Sequence, residues 1–150
     1  NLRKKGFLEE IRKFYDQGKP ILGICLGFQI FASKLLENGN SDGIGLLNGI
    51  VKPIQNPQIF NIGWCKVEMN KDLATKIGIN SISDFYFCHS FYLDLVSENK
   101  KKICYGSTFF KEKIPSIILK DNFIGSQFHP EKSQVNGRKF IKYFLNWNVK

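Results

Sequence analysis

Apolar residues recur along this chain with two different periods. Between Leu2 and Gln17, Phe7, Leu8, Ile11, Phe14 and Tyr15 recur at helical spacing and Gly18 supplies a stop, which predicts an amphipathic helix. Pro20-Ile21-Leu22-Gly23-Ile24 is continuously apolar, the pattern of a strand buried on both faces of a parallel sheet. Gly27 to Leu36 returns to the helical period, with Ile30, Phe31, Leu35 and Leu36 as its apolar side. The chain thus opens helix, strand, helix, the rhythm of an α/β fold.

The middle is different. Asn38 to Gly49 is rich in Gly and Asn and predicts loop and turns. Ile50 to Ile54, Trp64 to Met69 and Asp84 to Cys88 read as strands with polar connections, and Ile103 to Phe110 with Ser116 to Lys120 as a further pair. Phe123 to Phe128 is another short apolar strand, ended by Pro130. Gly137 to Trp147 predicts a closing helix with Phe140, Ile141, Phe144 and Leu145 on one face. No internal repeat or low-complexity linker is visible.

Composition narrows the class. A 150-residue chain with 43% hydrophobic and 14% aromatic residues forms one domain with a real core. The net charge of +9 raises the question of a nucleic-acid partner, but the longest basic run is Lys100-Lys101-Lys102, without interleaved aromatics. No nucleic-acid partner is therefore expected. No stretch approaches a membrane span, and no signal peptide is visible, so neither a membrane nor export is expected. The four cysteines form no CxxC pair and none stands at zinc-ligand spacing from a histidine. Reduced thiols in a cytoplasmic protein, with no metal and no cofactor, fit this usage.

The most informative segment is Gly23-Ile24-Cys25-Leu26-Gly27, between a buried strand and a helix. Small residues two before and two after a nucleophile permit a sharp strand-to-helix turn that exposes the side chain at the end of a sheet. There the helix dipole stabilises a thiolate, lowering its pKa from about 8.5. The Leu26 N–H stands where an oxyanion donor is needed. The competing reading is a small buried Cys25 flanked by packing glycines. Cys65, Cys88 and Cys104 lie inside strand-like runs and read as structural.

A cysteine nucleophile needs a base, and the chain has only His89 and His129. His129 lies in Gln127-Phe128-His129-Pro130-Glu131 at the end of an apolar strand. In extended chain, residues two apart face the same side, so Glu131 can hold one imidazole nitrogen while the other faces the thiol. His89 has no carboxylate at that offset and reads as structural. Cys25 and His129 both fall beyond the carboxyl ends of strands, where α/β sheets bind ligands.

With these residues in hand, the sequence resembles the class I (triad) glutamine amidotransferases. The likeness rests on Gly23-Ile24-Cys25-Leu26-Gly27-Phe28-Gln29 and on Gln127-Phe128-His129-Pro130-Glu131-Lys132-Ser133, in the family's order and separation. Within the family it is most similar to the glutaminase subunits of imidazole glycerol phosphate synthase. Gly43-Ile44-Gly45-Leu46-Leu47-Asn48-Gly49, Ile62-Gly63-Trp64, Phe85-Tyr86-Phe87-Cys88-His89-Ser90-Phe91-Tyr92 and Tyr105-Gly106 carry that narrower likeness.

The resemblance implies a flavodoxin-like, three-layer α/β fold with a central, mostly parallel sheet. It implies that residues 1–150 are a single amidotransferase domain lacking the family's N-terminal strands and Pro-Gly-Val-Gly oxyanion loop. It implies Cys25, His129 and Glu131 as catalytic residues, Leu26 as an oxyanion donor, and Gly27, Gln29, Ser90 and Phe91 around the L-glutamine substrate. Ammonia would pass to a synthase partner, a (β/α)8-barrel cyclase of histidine biosynthesis, in a heterodimer. Phe28 in place of Met, and Cys65 in place of Asn, leave room for a paralogue serving an N-acetyl-sugar amidotransferase in surface glycan biosynthesis. On the residues alone, a cysteine peptidase on the same scaffold and a non-catalytic binding domain are further readings.

Overall fold

The computed structural model describes residues 6–37, 39–54, 59–96 and 104–149. The first helix, α1, runs Phe7–Asp16, inside the predicted span of 2–17; residues 2–5 lie outside the described residues. Gly18, at φ 71°, turns the chain into strand β1 (Ile21–Ile24).

The predicted helix over 27–36 is overturned. A four-residue helical turn, α2 (Leu26–Gln29), is followed by a strand, β2 (Ala32–Leu35). The apolar run Ile30-Phe31-Ala32 suits either period, and long-range pairing decides. β2 runs parallel to β4 (Leu47–Pro53) and antiparallel to the short β3 (Ser41–Asp42). Its start is buried by the Phe31 ring, stacked 4.0 Å from Phe123.

The remaining strands are β5 (Asn61–Met69), β6 (Ile82–His89), β7 (Phe91–Leu95), β8 (Cys104–Phe110), β9 (Glu112–Lys120) and β10 (Phe123–Ser126). A helix that the sequence reading passed over as polar connection, α3 (Lys71–Ile77), lies between β5 and β6. Asn70 caps it, accepting the Leu73 N–H at 3.1 Å, and Gly78 ends it at φ 76°. The closing helix α4 covers Gln134–Leu145.

Two sheets result. One has six strands in the order β1-β10-β9-β8-β5-β6, the other four in the order β3-β2-β4-β7. The α/β class stands, but pairing is mixed rather than mostly parallel. Only β1 with β10, and β2 with β4, run parallel among the described strands. The cause is local: β8, β9 and β10 follow one another through tight hairpins, with Lys111 and Asp121 taking positive φ, and hairpins impose antiparallel pairing.

Strands β9 and β10 of the six-stranded sheet are buried on both faces, while β5 and β6 alternate buried and exposed residues. Along β9, Ile117 and Leu119 join α3, α4 and Phe128 in one core, while Ile118 joins Phe31 and, from the second sheet, Val51 and Leu93. Helices α3 and α4, the six-stranded sheet and the four-stranded sheet thus form three layers, with α1 packed into the second core. Phe128 is the hinge of the first core. It is fully buried, stacked 3.9 Å from Phe85 and edge-on to Phe140 at 5.4 Å.

Because Phe128 directly precedes His129, its truncation tests both packing and site placement. Phe128→Ala should lower unfolding free energy by about 3–5 kcal/mol, and Phe128→Leu by less. Urea unfolding followed by tryptophan fluorescence measures this; a loss below about 1 kcal/mol for the alanine variant would place the core elsewhere.

Candidate active site

Cys25 sits at the corner between β1 and α2, with φ 51° and ψ −109°. This lies outside the left-handed helical basin as well as the regions an L-residue prefers, so the corner is strained. Neighbouring hydrogen bonds hold it there. The Cys25 N–H donates to Ser126 O at 2.7 Å, continuing the β1–β10 ladder by one rung, and its carbonyl accepts from Phe28 and Gln29 N–H at 3.0 and 3.1 Å. The two flanking glycines differ in purpose. A Cβ on Gly23 would meet Gly27 O at 2.7 Å and Phe28 Cα at 2.9 Å, whereas one on Gly27 would meet nothing within 4 Å. Gly23 is needed for packing; Gly27 leaves open space beside the thiol.

Outward-facing groups on the edge strand β6 organise the rest. The Asp84, Tyr86 and Cys88 carbonyls point away from β5 at every second residue. The first accepts Asn136 Nδ2 at 3.1 Å, the second the His129 N–H at 2.8 Å, and the third faces Cys25 Sγ at 3.9 Å. The six-stranded sheet therefore curls until its edges β1 and β6 approach, and Cys25 and His129 dock on carbonyls about 7 Å apart. Ser133, buried, completes the join: its Oγ accepts the Tyr86 N–H at 3.0 Å and donates to His129 O at 2.6 Å.

The His129–Glu131 pair forms, though not as extended chain. Pro130–Lys132 is a 3-10 turn with proline at its start, and this turn brings Glu131 Oε1 to 2.7 Å from His129 Nδ1. Proline's fixed φ suits the first helical position, so it begins a turn here instead of stiffening a strand. A carboxylate only accepts, so Nδ1 carries a proton, and in the neutral ring that leaves the lone pair on Nε2.

Burial pushes the Cys25 thiol upward, and the Leu26 N–H only partly offsets this. The expected lowering by a helix dipole is thus reversed: α2 has just four residues, and desolvation of the charged form dominates. Gln29 is buried, and its Nε2 donates to Phe91 O at 2.8 Å and to Gln127 Oε1 at 3.0 Å. Phe91, the first residue of β7, is drawn beside Gln29 by that bond, and Ser90 precedes it in the β6–β7 connection. Among the described residues no group of three or more His, Cys, Asp or Glu is arranged to hold a metal, and no helix is long and apolar enough to cross a membrane.

The profile of the glutamine amidotransferase class-I family matches residues 2–146. The chain belongs to this family. The amidotransferase is 39% identical over 144 residues to the imidazole glycerol phosphate synthase subunit HisH of Caldanaerobacter subterraneus subsp. tengcongensis, covering 95% of this chain and 70% of that protein. It is 40% identical over 146 residues to the subunit of that name from Lactococcus lactis subsp. lactis, covering 97% and 71%. Among solved structures it is similar in fold to the Trypanosoma brucei CTPS glutaminase domain with bound acivicin, with a TM-score of 0.63 at 13% identity over 97% of this chain and 68% of that one. A glutamine amidotransferase from Thermotoga maritima gives 0.61 at 20% identity, covering 97% and 57%.

Sequence reasoning named no role for Gln127, Ser126, Ser133 or Asn61 in the amidotransferase. Gln127 is a polar residue in an apolar run, two before His129, and the structure buries it fully. Asn61 Nδ2 lies 3.2 Å from His89 Nε2, while His89 Nδ1 donates to Phe91 O at 2.8 Å. His89 is thus a neutral, doubly bonded core residue. Of the other cysteines, Cys65 donates to Asn61 Oδ1 at 3.4 Å and Cys88 is exposed.

Two outcomes follow. Glycine relieves positive-φ strain that alanine keeps, so Cys25→Gly should be more stable than Cys25→Ala by about 1 kcal/mol, read by thermal unfolding; equal stabilities would mean an unstrained corner. For His89, burial lowers the pKa from 6.5 to about 4. The unfolded chain gains this proton below about pH 6.5 while the folded one resists, so the contribution is full above that pH. It is lost as pH falls towards 4, by on the order of 3 kcal/mol. Urea midpoints of the wild type should fall more steeply over that window than those of His89→Gln; parallel curves would contradict it.

Proposed function

We propose that this amidotransferase is a glutaminase subunit that hydrolyses L-glutamine to glutamate and ammonia through Cys25, His129 and Glu131. The ammonia goes to a synthase partner that makes imidazole glycerol phosphate. The observation that carries the chemistry is the docking of the strained Cys25 thiol and the His129 backbone N–H on successive outward carbonyls of β6, with the His129 imidazole oriented by Glu131. The relatives named for that synthase support the pathway.

The steps follow from the protonation states. Burial keeps the sulfur a neutral thiol at rest, so deprotonation accompanies attack. His129 Nε2 takes the thiol proton as Sγ bonds to the side-chain amide carbon, and Glu131 stabilises the imidazolium through Nδ1–H. The Leu26 N–H faces the developing oxyanion. His129 returns its proton to the departing nitrogen, ammonia leaves, and a glutamyl thioester remains. Water, deprotonated by the same imidazole, cleaves the thioester to glutamate and free thiol. Both Gln29 amide hydrogens are engaged, so Gln29 offers a ligand its Oε1, an acceptor suited to the substrate ammonium. Gly27 supplies the adjoining space, and Ser90 and Phe91 form the facing wall.

A surface next to the thiol supports a partner. Ile62 and Trp64 of β5 are exposed, at 61% and 49%, and pair across with Cys88 and Tyr86. Trp64 and Tyr86 meet edge to face at 6.0 Å, and Lys132 Nζ lies 5.6 Å over the Tyr86 ring. This apolar stripe ends at the Cys88 carbonyl beside Sγ, so a partner seated on it is adjacent to where ammonia is released.

The full-length protein treated with 6-diazo-5-oxo-norleucine should carry the adduct on Cys25, mapped by mass spectrometry. His129→Asn should reduce glutaminase kcat by about 10²–10⁴-fold. Labelling at Cys88 instead, or none, would sink the mechanism. Growth rescue of a histidine auxotroph lacking this subunit tests the acceptor; failure to rescue with glutaminase intact points to the sugar amidotransferase.

A further inference from the structure

The amide of Gln127 is wholly buried and ends 3.7 Å from Cys25 Sγ. Which end of it faces the sulfur is fixed by a chain of constraints. A backbone carbonyl only accepts, so the atom of Gln29 lying 2.8 Å from Phe91 O is its nitrogen. That nitrogen also lies 3.0 Å from the Gln127 side chain, so it must meet an oxygen there. The other end of Gln127, facing the sulfur, is therefore its NH2 group. The Phe91 carbonyl is itself immobilised, since it accepts from His89 Nδ1 as well. The sulfur lies against a donor whose orientation is set by Gln29 and, behind it, by the backbone.

From this geometry we infer that Gln127 is a thiolate-stabilising residue of the glutaminase reaction, and that Gln29 acts on the sulfur through it. The inference rests on the reading of Cys25 as nucleophile. When Sγ loses its proton to His129, the buried anion needs donors already in place, because water cannot reorganise around it. The Leu26 N–H is one; Gln127 Nε2–H is the second, and it approaches from the β10 side. Both donors are neutral, so they favour the thiolate without adding a permanent charge to the pocket. Gln29 then has two tasks, its nitrogen ordering Gln127 and its oxygen facing the ligand.

The test compares Gln127→Glu with Gln127→Met in the full-length protein. Glutamate keeps the acceptor that Gln29 needs but replaces the donor with a carboxylate. Methionine removes donor and acceptor without adding charge. The readout is the pH dependence of iodoacetamide alkylation at Cys25, resolved from the other cysteines by mass spectrometry. The midpoint should rise by about one unit or more in Gln127→Glu, and by less in Gln127→Met. At a fixed neutral pH, glutaminase kcat should fall by about tenfold or more in Gln127→Glu while KM changes by less than about threefold.

Midpoints within about 0.2 unit of wild type in both variants would overturn the inference and leave Gln127 as packing alone. If Gln127→Glu does not fold, the Gln127→Met midpoint decides by the same criterion. Alkylation requires no glutamine, so the result is separable from the fate of the glutaminase reading. A wild-type Cys25 that escapes the diazo-ketone label sinks that reading whatever the alkylation midpoints are.

Discussion

A single parallel rung, the Cys25 N–H on Ser126 O, holds the architecture of the site together. It closes a ladder in which four residues from the front of the chain pair with four from near its end. That pairing, with the shared docking on β6, brings the Gly23–Gln29 block within reach of the Gln127–Ser133 block, far along the chain. It also supplies the hold that keeps Cys25 in a backbone conformation it would otherwise leave. Everything that touches the sulfur from the late strand, Gln127 above all, depends on the same registration.

The environment of the sulfur balances two opposed demands. Burial withholds water and raises the thiol, which favours its neutral form. In the proposed mechanism, donors aimed at Sγ and an imidazole whose tautomer is fixed by Glu131 lower the barrier once attack begins. The proposed mechanism accordingly couples proton transfer to attack and does not call for a standing thiolate–imidazolium pair. His89, though nearer in sequence to the β6 edge groups, takes no part because both its nitrogens are consumed inside the core.

Much of this was legible in the residues. The apolar runs at 20–24 and 123–128 gave β1 and β10 because strands buried on both faces leave no alternation to misread. Helix α4 followed from its period. The segment 30–36 did not follow, because Ile30, Phe31 and Ala32 fit a helix face and a buried strand equally, and the deciding partners, Leu47–Pro53, lie beyond any local window. Helix α3 was missed although its capping signals, Asn70 and Gly78, were in plain view around a short polar stretch. The Cys-His-Glu set was read from motif and offset, but the 3-10 turn that makes the His129–Glu131 contact was not. The place of Gln127 was illegible for a different reason: it follows from the orientation of three groups far apart in sequence, each fixed by the next.

The segment from His129 to Asn136 covers the open side of β6, taking up the Tyr86 N–H and the carbonyls of Tyr86 and Asp84. An uncovered strand there would be an invitation to cross-β association with other copies of the chain. The same short stretch that presents the imidazole thus also guards against self-assembly. Loosening it, for instance by losing the buried Ser133 hydroxyl, would disturb the placement of His129 and uncover the strand edge at once.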